Sequence, residues 1–172
     1  NLGHQHPRVV AAIREQAERL CFVTNAWGAA PRDALASRLL ELGGFAGGRV
    51  FFTLGGADAN EHAVKIARQA AGKPRGVVIA RDRSYHGATY LAMALSGDTR
   101  TRAMVDPDAM GVTHVEPPYA HRCPFGSRNT EECGDLAAAA IGQRIDLFGV
   151  DRVAAVVVEP NAGSNGIVAP DS

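Results

Sequence analysis

The chain has 172 residues with 18 basic and 18 acidic side chains, so its formal charge is zero, and 46% of it is hydrophobic. A neutral chain is a poor partner for nucleic acid, which asks for a basic face, and no apolar run approaches the ~20 residues of a membrane span. What remains is a soluble-type α/β composition with one excess, 19 glycines, above the usual ~7%.

Pro7 to Leu20 reads as a helix. Pro7 suits the first helical position, where its missing N–H costs nothing. Val10, Ile13, Ala17 and Leu20 then recur at helical period. Residues 21–30 show no clear period and carry the only tryptophan, Trp27. Pro31 opens a second helix with a stripe of Leu35, Leu39 and Leu42, and Gly43-Gly44 ends it. From there strands and helices alternate. Arg49–Thr53 is a short β-rich run, and Ala57–Ala71 is a helix with Ala59, Ala63, Ile66, Ala67 and Ala70 expected inward. Gly76–Ala80 is the next strand, Ala88–Leu95 a helix, and Val112–Val115 a strand before Pro117-Pro118. Tyr119–Gly134 looks like an irregular surface excursion, Asp135–Phe148 a helix, and Val153–Val158 a β-branched strand. Apolar runs of this length, each separated by a helix, imply a mostly parallel sheet with helices on both faces.

Asn1-Leu2-Gly3-His4 is neither a basic n-region nor an apolar h-region, so no signal peptide is expected. Three cysteines, Cys21, Cys123 and Cys133, are an odd number, which points to a reducing compartment and a cytoplasmic location. His114, His121, Cys123 and Cys133 lack the close Cys-x2-Cys pairs of structural zinc sites, so no metal is expected.

Leu54-Gly55-Gly56-Ala57-Asp58 lies between a strand and a helix. Small residues there let backbone approach a ligand, and the first helical N–H groups have no intrahelical partner, so a phosphate is the natural guest. The segment is neither a P-loop nor a dinucleotide fingerprint, because no Gly-Lys-Ser/Thr follows and the Gly-x-Gly-x-x-Gly spacing is absent.

The longer run from Phe52 through Asn60-Glu61 to Ala67-Arg68 resembles the phosphate-binding segment of class III pyridoxal-phosphate aminotransferases. Leu2-Gly3-His4-Gln5-His6-Pro7 resembles that family's early Gly-His-x-His-Pro turn, Tyr85-His86-Gly87 its aromatic-His-Gly element, and Val156–Pro160 its strand ending in Glu-Pro. The resemblance implies the large domain of the aspartate aminotransferase-like fold, here incomplete. Residues 1–43 would lead into it and 44–172 would form its N-terminal half.

It also implies roles. Backbone N–H groups of Gly56 and Ala57 would hold the phosphate of pyridoxal 5′-phosphate, although Ala57 stands where the family usually has a serine or threonine hydroxyl. Asp58 would be either a helix-start acid or a catalytic one. Tyr85 would stack on the pyridine ring with His86 beside it, and Glu159 would lie near the ring. Trp27 would be either core packing or a substrate contact. Ser164 stands where γ-aminobutyrate and ornithine types commonly carry a glutamate, which argues for an ω-amino donor of the β-alanine, taurine or diamine type and a 2-oxo acid acceptor such as pyruvate. The Schiff-base lysine and the aspartate against the ring nitrogen are expected beyond Ser172, and neither Lys65 nor Lys73, the only lysines, matches the Schiff-base position. The expected parent is therefore a longer homodimeric enzyme of which this chain is a central piece. An aminomutase or racemase, or a dead fragment that only binds phosphate, are the alternatives.

Overall fold

The computed structural model describes residues 2–24, 26–164 and 166. The chain divides into two compact units, residues 1–51 and 52–172. In the first, α1 (Pro7–Arg19) and α2 (Ala30–Gly43) each carry proline in the first turn. Gly44 ends α2 in the left-handed region at φ 68°. Its N–H reaches Glu41 O at 3.2 Å and that of Phe45 reaches Leu40 O at 3.0 Å, the paired bonds that satisfy the last carbonyls of a helix. Neither helix buries a residue, and Ile13 and Leu42 are 63% and 68% exposed.

The second unit is built on a parallel sheet of β1 (Val77–Arg81), β2 (Val112–Val115) and β3 (Val153–Val156) in the order β2-β1-β3. Its helices are α3 (Gly56–Ala70), α4 (Tyr90–Leu95), α5 (Thr99–Arg102) and α6 (Thr130–Phe148). The chain steps from β1 to β2 through α4 and α5, then back across β1 to β3 through α6. A reversal of direction with crossovers of one hand puts the connecting helices on opposite faces. Side chains agree with this. Val78, Ala80 and Val112 form one cluster with Val64 of α3 and Ala94 and Leu95 of α4. On the opposite pleat, Thr113 Oγ1 accepts a hydrogen bond from Arg144 of α6 at 3.2 Å. Central β1 is buried at Val77 through Ala80, as a strand covered on both faces must be.

Three expectations need correction. Arg49–Thr53 forms no strand among the described residues; β-rich composition expresses itself as a strand only where a neighbour is there to pair with it. The excursion before α6 is shorter than expected, because α6 begins at Thr130. Asn129 Oδ1 accepts from Glu132 N at 3.2 Å, while Ser127 Oγ accepts from Asn129 N at 3.0 Å and donates to Glu132 Oε2 at 2.5 Å. That is a capping box closed through a serine relay. Finally, α3 turns a different face inward. Ala59, Ala63, Ile66 and Ala70 are exposed, and Val64 is its one buried residue.

Candidate functional site: the C-terminal ends of β1 and β3

The inward face of α3 runs through Asn60, Glu61, Val64 and Arg68, at helical spacing but with three polar members. Each polar one is satisfied. Asn60 Nδ2 donates to His86 O at 2.7 Å. Glu61 Oε1 accepts from Thr89 Oγ1 at 2.6 Å and from Leu91 N at 3.1 Å. Arg68 donates to Gly76 O at 2.9 Å and to Met110 O at 2.8 Å. α3 is thereby tied to the loops at both ends of β1, and its start is set beside the loop that follows that strand.

That start is bare. The residue before it, Gly55, is extended at φ −174° and offers no side-chain cap. A Cβ built on Gly55 or Gly56 would meet nothing within 4 Å, so space lies open outside the turn. The first intrahelical bond is Ala59 N to Gly55 O at 2.9 Å, which leaves the N–H groups of Gly56, Ala57 and Asp58 for an external acceptor. Asp58 turns its carboxylate away: Oδ2 accepts from Leu54 N at 3.2 Å and Oδ1 lies 3.5 Å from His62 Nε2. Its place in the first turn of α3 is that of a helix-start acid.

The loop after β1 closes over this turn. Gly87 has φ 133°, and a Cβ there would fall 2.5 Å from Ala57 Cβ, so only glycine lets the two backbones meet. Tyr85 N–H donates to Glu159 Oε2 at 3.3 Å, which brings the residue past β3 onto the loop past β1. Tyr85 leaves 43% of its surface exposed, whereas His86 is buried at 7%. His86 Nε2 has no partner among the described residues. Burial pushes the His86 pKa down, Glu159 partly opposes that, and His114 adds to it. His114, also buried, is lowered first by burial and then by Arg102, while its Nε2 meets Leu95 O at 3.2 Å. Both imidazoles are thus favoured neutral.

Residues 1–172 match the family model described as aminotransferase class-III. The chain belongs to the class III aminotransferases. It is 35% identical to a leucine/methionine racemase of Thermococcus litoralis over 99% of this chain and 38% of that protein. It is 36% identical to an acetylornithine aminotransferase of Streptomyces clavuligerus over 98% of this chain and 36% of that protein. Among solved structures it superposes with a TM-score of 0.86 and 35% identity on a taurine:2-oxoglutarate aminotransferase of Bifidobacterium kashiwanohense in complex with PLP and glutamate, covering 100% of this chain and 39% of that one. The chain therefore spans under two-fifths of the length of these relatives. The fold is that of the large domain of such enzymes, represented in part.

The open glycine start of α3 and the orphaned, buried His86 nitrogen fit the phosphate and ring of a pyridoxal cofactor. The structure brings Ala57 against Gly87 and Glu159 against Tyr85, so three of the sequence-derived segments converge at one end of the sheet. This is where ligands of open α/β sheets bind. Trp27 belongs to the other unit, where it is 70% exposed and its carbonyl accepts from Arg32. Two larger concavities of about 820 Å³ each lie elsewhere, one along α1 and one beside the N-terminal ends of β1 and β2, and neither touches the convergent residues. Ser84 and Ser96 carry no signal in the sequence, whereas Asn60 and Glu61 lie in the run that resembles the family's phosphate segment and share helical spacing with Val64 and Arg68. Cys123 and Cys133, read as thiols of a reducing compartment, are bonded to each other, with Cα atoms 6.1 Å apart. The excursion folds back on the first turn of α6 and brings them together.

Proposed function

We propose that this chain supplies the phosphate cup and one wall of the pyridoxal 5′-phosphate pocket in an enzyme that moves an amino group from an ω-amino compound to a 2-oxo acid such as pyruvate. The observation that carries the reading is the convergence of the uncapped α3 start, the Tyr85-His86-Gly87 loop and Glu159 at one end of the sheet. When bound, pyridoxal phosphate supplies an electron sink for charge developing at the amine carbon. The chain's own groups bind and orient. The N–H groups of Gly56 and Ala57 face the phosphate with the positive end of the α3 dipole behind them. Tyr85 presents an exposed aromatic face for stacking. Glu159 holds the backbone beneath that ring and keeps negative charge beside His86. Without a hydroxyl at Ala57, retention is weaker by about 1 kcal/mol or slightly more.

Ser164 is exposed where a glutamate would mark the γ-aminobutyrate and ornithine types, and this supports the ω-amino donor. The taurine enzyme among the solved relatives agrees with it. On this reading residues 44–172 are the N-terminal half of the large domain, 1–43 lead into it, and Trp27 contacts substrate through its exposed ring. The enzyme works as a homodimer, as the family resemblance implies.

The test is to load the protein that carries this chain with pyridoxal phosphate and supply pyruvate with taurine, β-alanine, a diamine or acetylornithine. Alanine should form fastest with one of the first three; fastest turnover of acetylornithine would contradict the donor class. Formation of D-leucine from L-leucine without any 2-oxo acid would replace amino transfer by racemisation, the reading that the Thermococcus relative favours.

A further inference from the structure

Two buried serines bind the loop after β1 to the end of α4. Ser96 is fully buried; its Oγ donates to Ala92 O at 2.8 Å and accepts from His86 N at 2.9 Å. Ser84, 2% exposed, donates from Oγ to Arg81 O at 2.6 Å and accepts from Gly97 N at 3.1 Å. Arg83 N donates to Gly97 O at 3.1 Å, completing the seam. The two strands of chain run so close that a Cβ on Gly97 would lie 2.3 Å from Arg81 O. Arg83 sits at φ 62°, a left-handed conformation that a non-glycine residue keeps only where its surroundings over-determine it.

The consequence falls on Tyr85. Its neighbours on both sides are tied to residues 96 and 97, Ser84 through its Oγ, which accepts from Gly97 N, and His86 through its backbone N–H, which donates to Ser96 Oγ. Ser84 and His86 are buried at 2% and 7% while Tyr85 between them is 43% exposed, so with the two neighbours tied to this seam the side chain of 85 faces out. We propose that Ser96, with Ser84, is a positioning residue: this hydroxyl pair fixes the loop so that the Tyr85 ring faces outward and His86 stays buried beside it. The proposal rests on the cofactor reading only for what the outward ring meets; the seam itself stands without it.

The experiment compares amide hydrogen exchange, residue by residue, in the full 172-residue chain and in three variants. Ser96→Ala removes the hydroxyl, Ser96→Cys keeps its volume with a much poorer acceptor, and Leu95→Val loosens the same helix while leaving both hydroxyls. Exchange of the His86 amide should rise about tenfold in Ser96→Ala and Ser96→Cys relative to the other core amides, and in Leu95→Val it should rise only in step with them. Ser96→Cys carries the result if the alanine variant does not fold. Equal behaviour of all three would overturn the proposal. In parallel, pyridoxal 5′-phosphate is titrated into each chain. Weakening of its binding several-fold in the two Ser96 variants supports the positioning role, and unchanged affinity there removes it. Failure of the unaltered chain to bind the cofactor, with His86 exchange still raised in both Ser96 variants, would sink the cofactor reading alone and leave the seam in place.

Discussion

The two units respond differently to the same kind of sequence signal. α1 and α2 have proline starts and clear apolar stripes, yet bury nothing in their own unit. β1 lies buried between α3 and α4 on one side and α6 on the other, with Val78, Ile79 and Ala80 fully enclosed. Apolar period decides that a helix forms and which way its stripe points; burial needs partners as well. The sheet unit carries its own, and the helical unit offers its stripes bare.

If that difference is real, substitutions should separate the units by size of effect. The largest loss is expected from Gly97→Ala, whose Cβ would meet Arg81 O at 2.3 Å and Asp82 Cα at 2.4 Å, all immobile backbone. Urea unfolding should show about 3 kcal/mol or more of lost stability, and a change under 1 kcal/mol would mean that the seam between these backbones is looser than described. Next comes the Cys123–Cys133 bond, which closes a sequence separation of 10 residues. Cys123→Ser should cost about 2–3 kcal/mol and expose the 119–129 segment to protease while leaving α1 and α2 unaffected. An equal melting temperature with and without reductant would contradict it.

A smaller effect follows acid. Burial lowers the folded pKa of both His86 and His114, so the unfolded chain takes up protons first as pH falls. Their contribution is fully present above about pH 6.5 and is lost as pH drops from there through the lower folded values. Urea midpoints at pH 8 and 5.5 should differ less in His114→Gln, which can still donate to Leu95 O, than in the unaltered chain. A parallel pair of curves would rule His114 out of the pH response. The smallest effect belongs to the helical unit: Ile13→Ala, at a 63% exposed position, should change stability within about 0.5 kcal/mol. A loss of several kcal/mol there would erase the contrast between the units.

The same contrast explains what could be read in advance. The parallel sheet and most helices followed from period and punctuation, because Pro7, Pro31 and Gly44 act locally. The cofactor-site residues were found by resemblance, since a glycine turn by itself is ambiguous. The inward face of α3 does not follow hydrophobic period, since three of its four members are polar. Asn60, Glu61 and Arg68 point inward because the loops around β1 offer them carbonyls, an amide and a hydroxyl, and those partners lie 8 to 42 residues away. The Arg49–Thr53 run failed for the reverse reason, having strand composition but no ladder among the described residues. The capping box at Asn129–Glu132 is legible in the sequence, an Asn followed three residues later by Glu.

The central claim is that the start of α3 and the loop past β1 form one anion-and-ring site. It is tested most directly by following the backbone amide resonances of the 172-residue chain while pyridoxal 5′-phosphate is added. The account predicts the largest saturable shifts at Gly56 and Ala57, with Tyr85 and His86 moving at the same concentration, and inorganic phosphate moving the first pair alone. Shifts confined to the arginine-lined concavity around Arg75 and Arg152, with Gly56 and Ala57 unmoved, would contradict it.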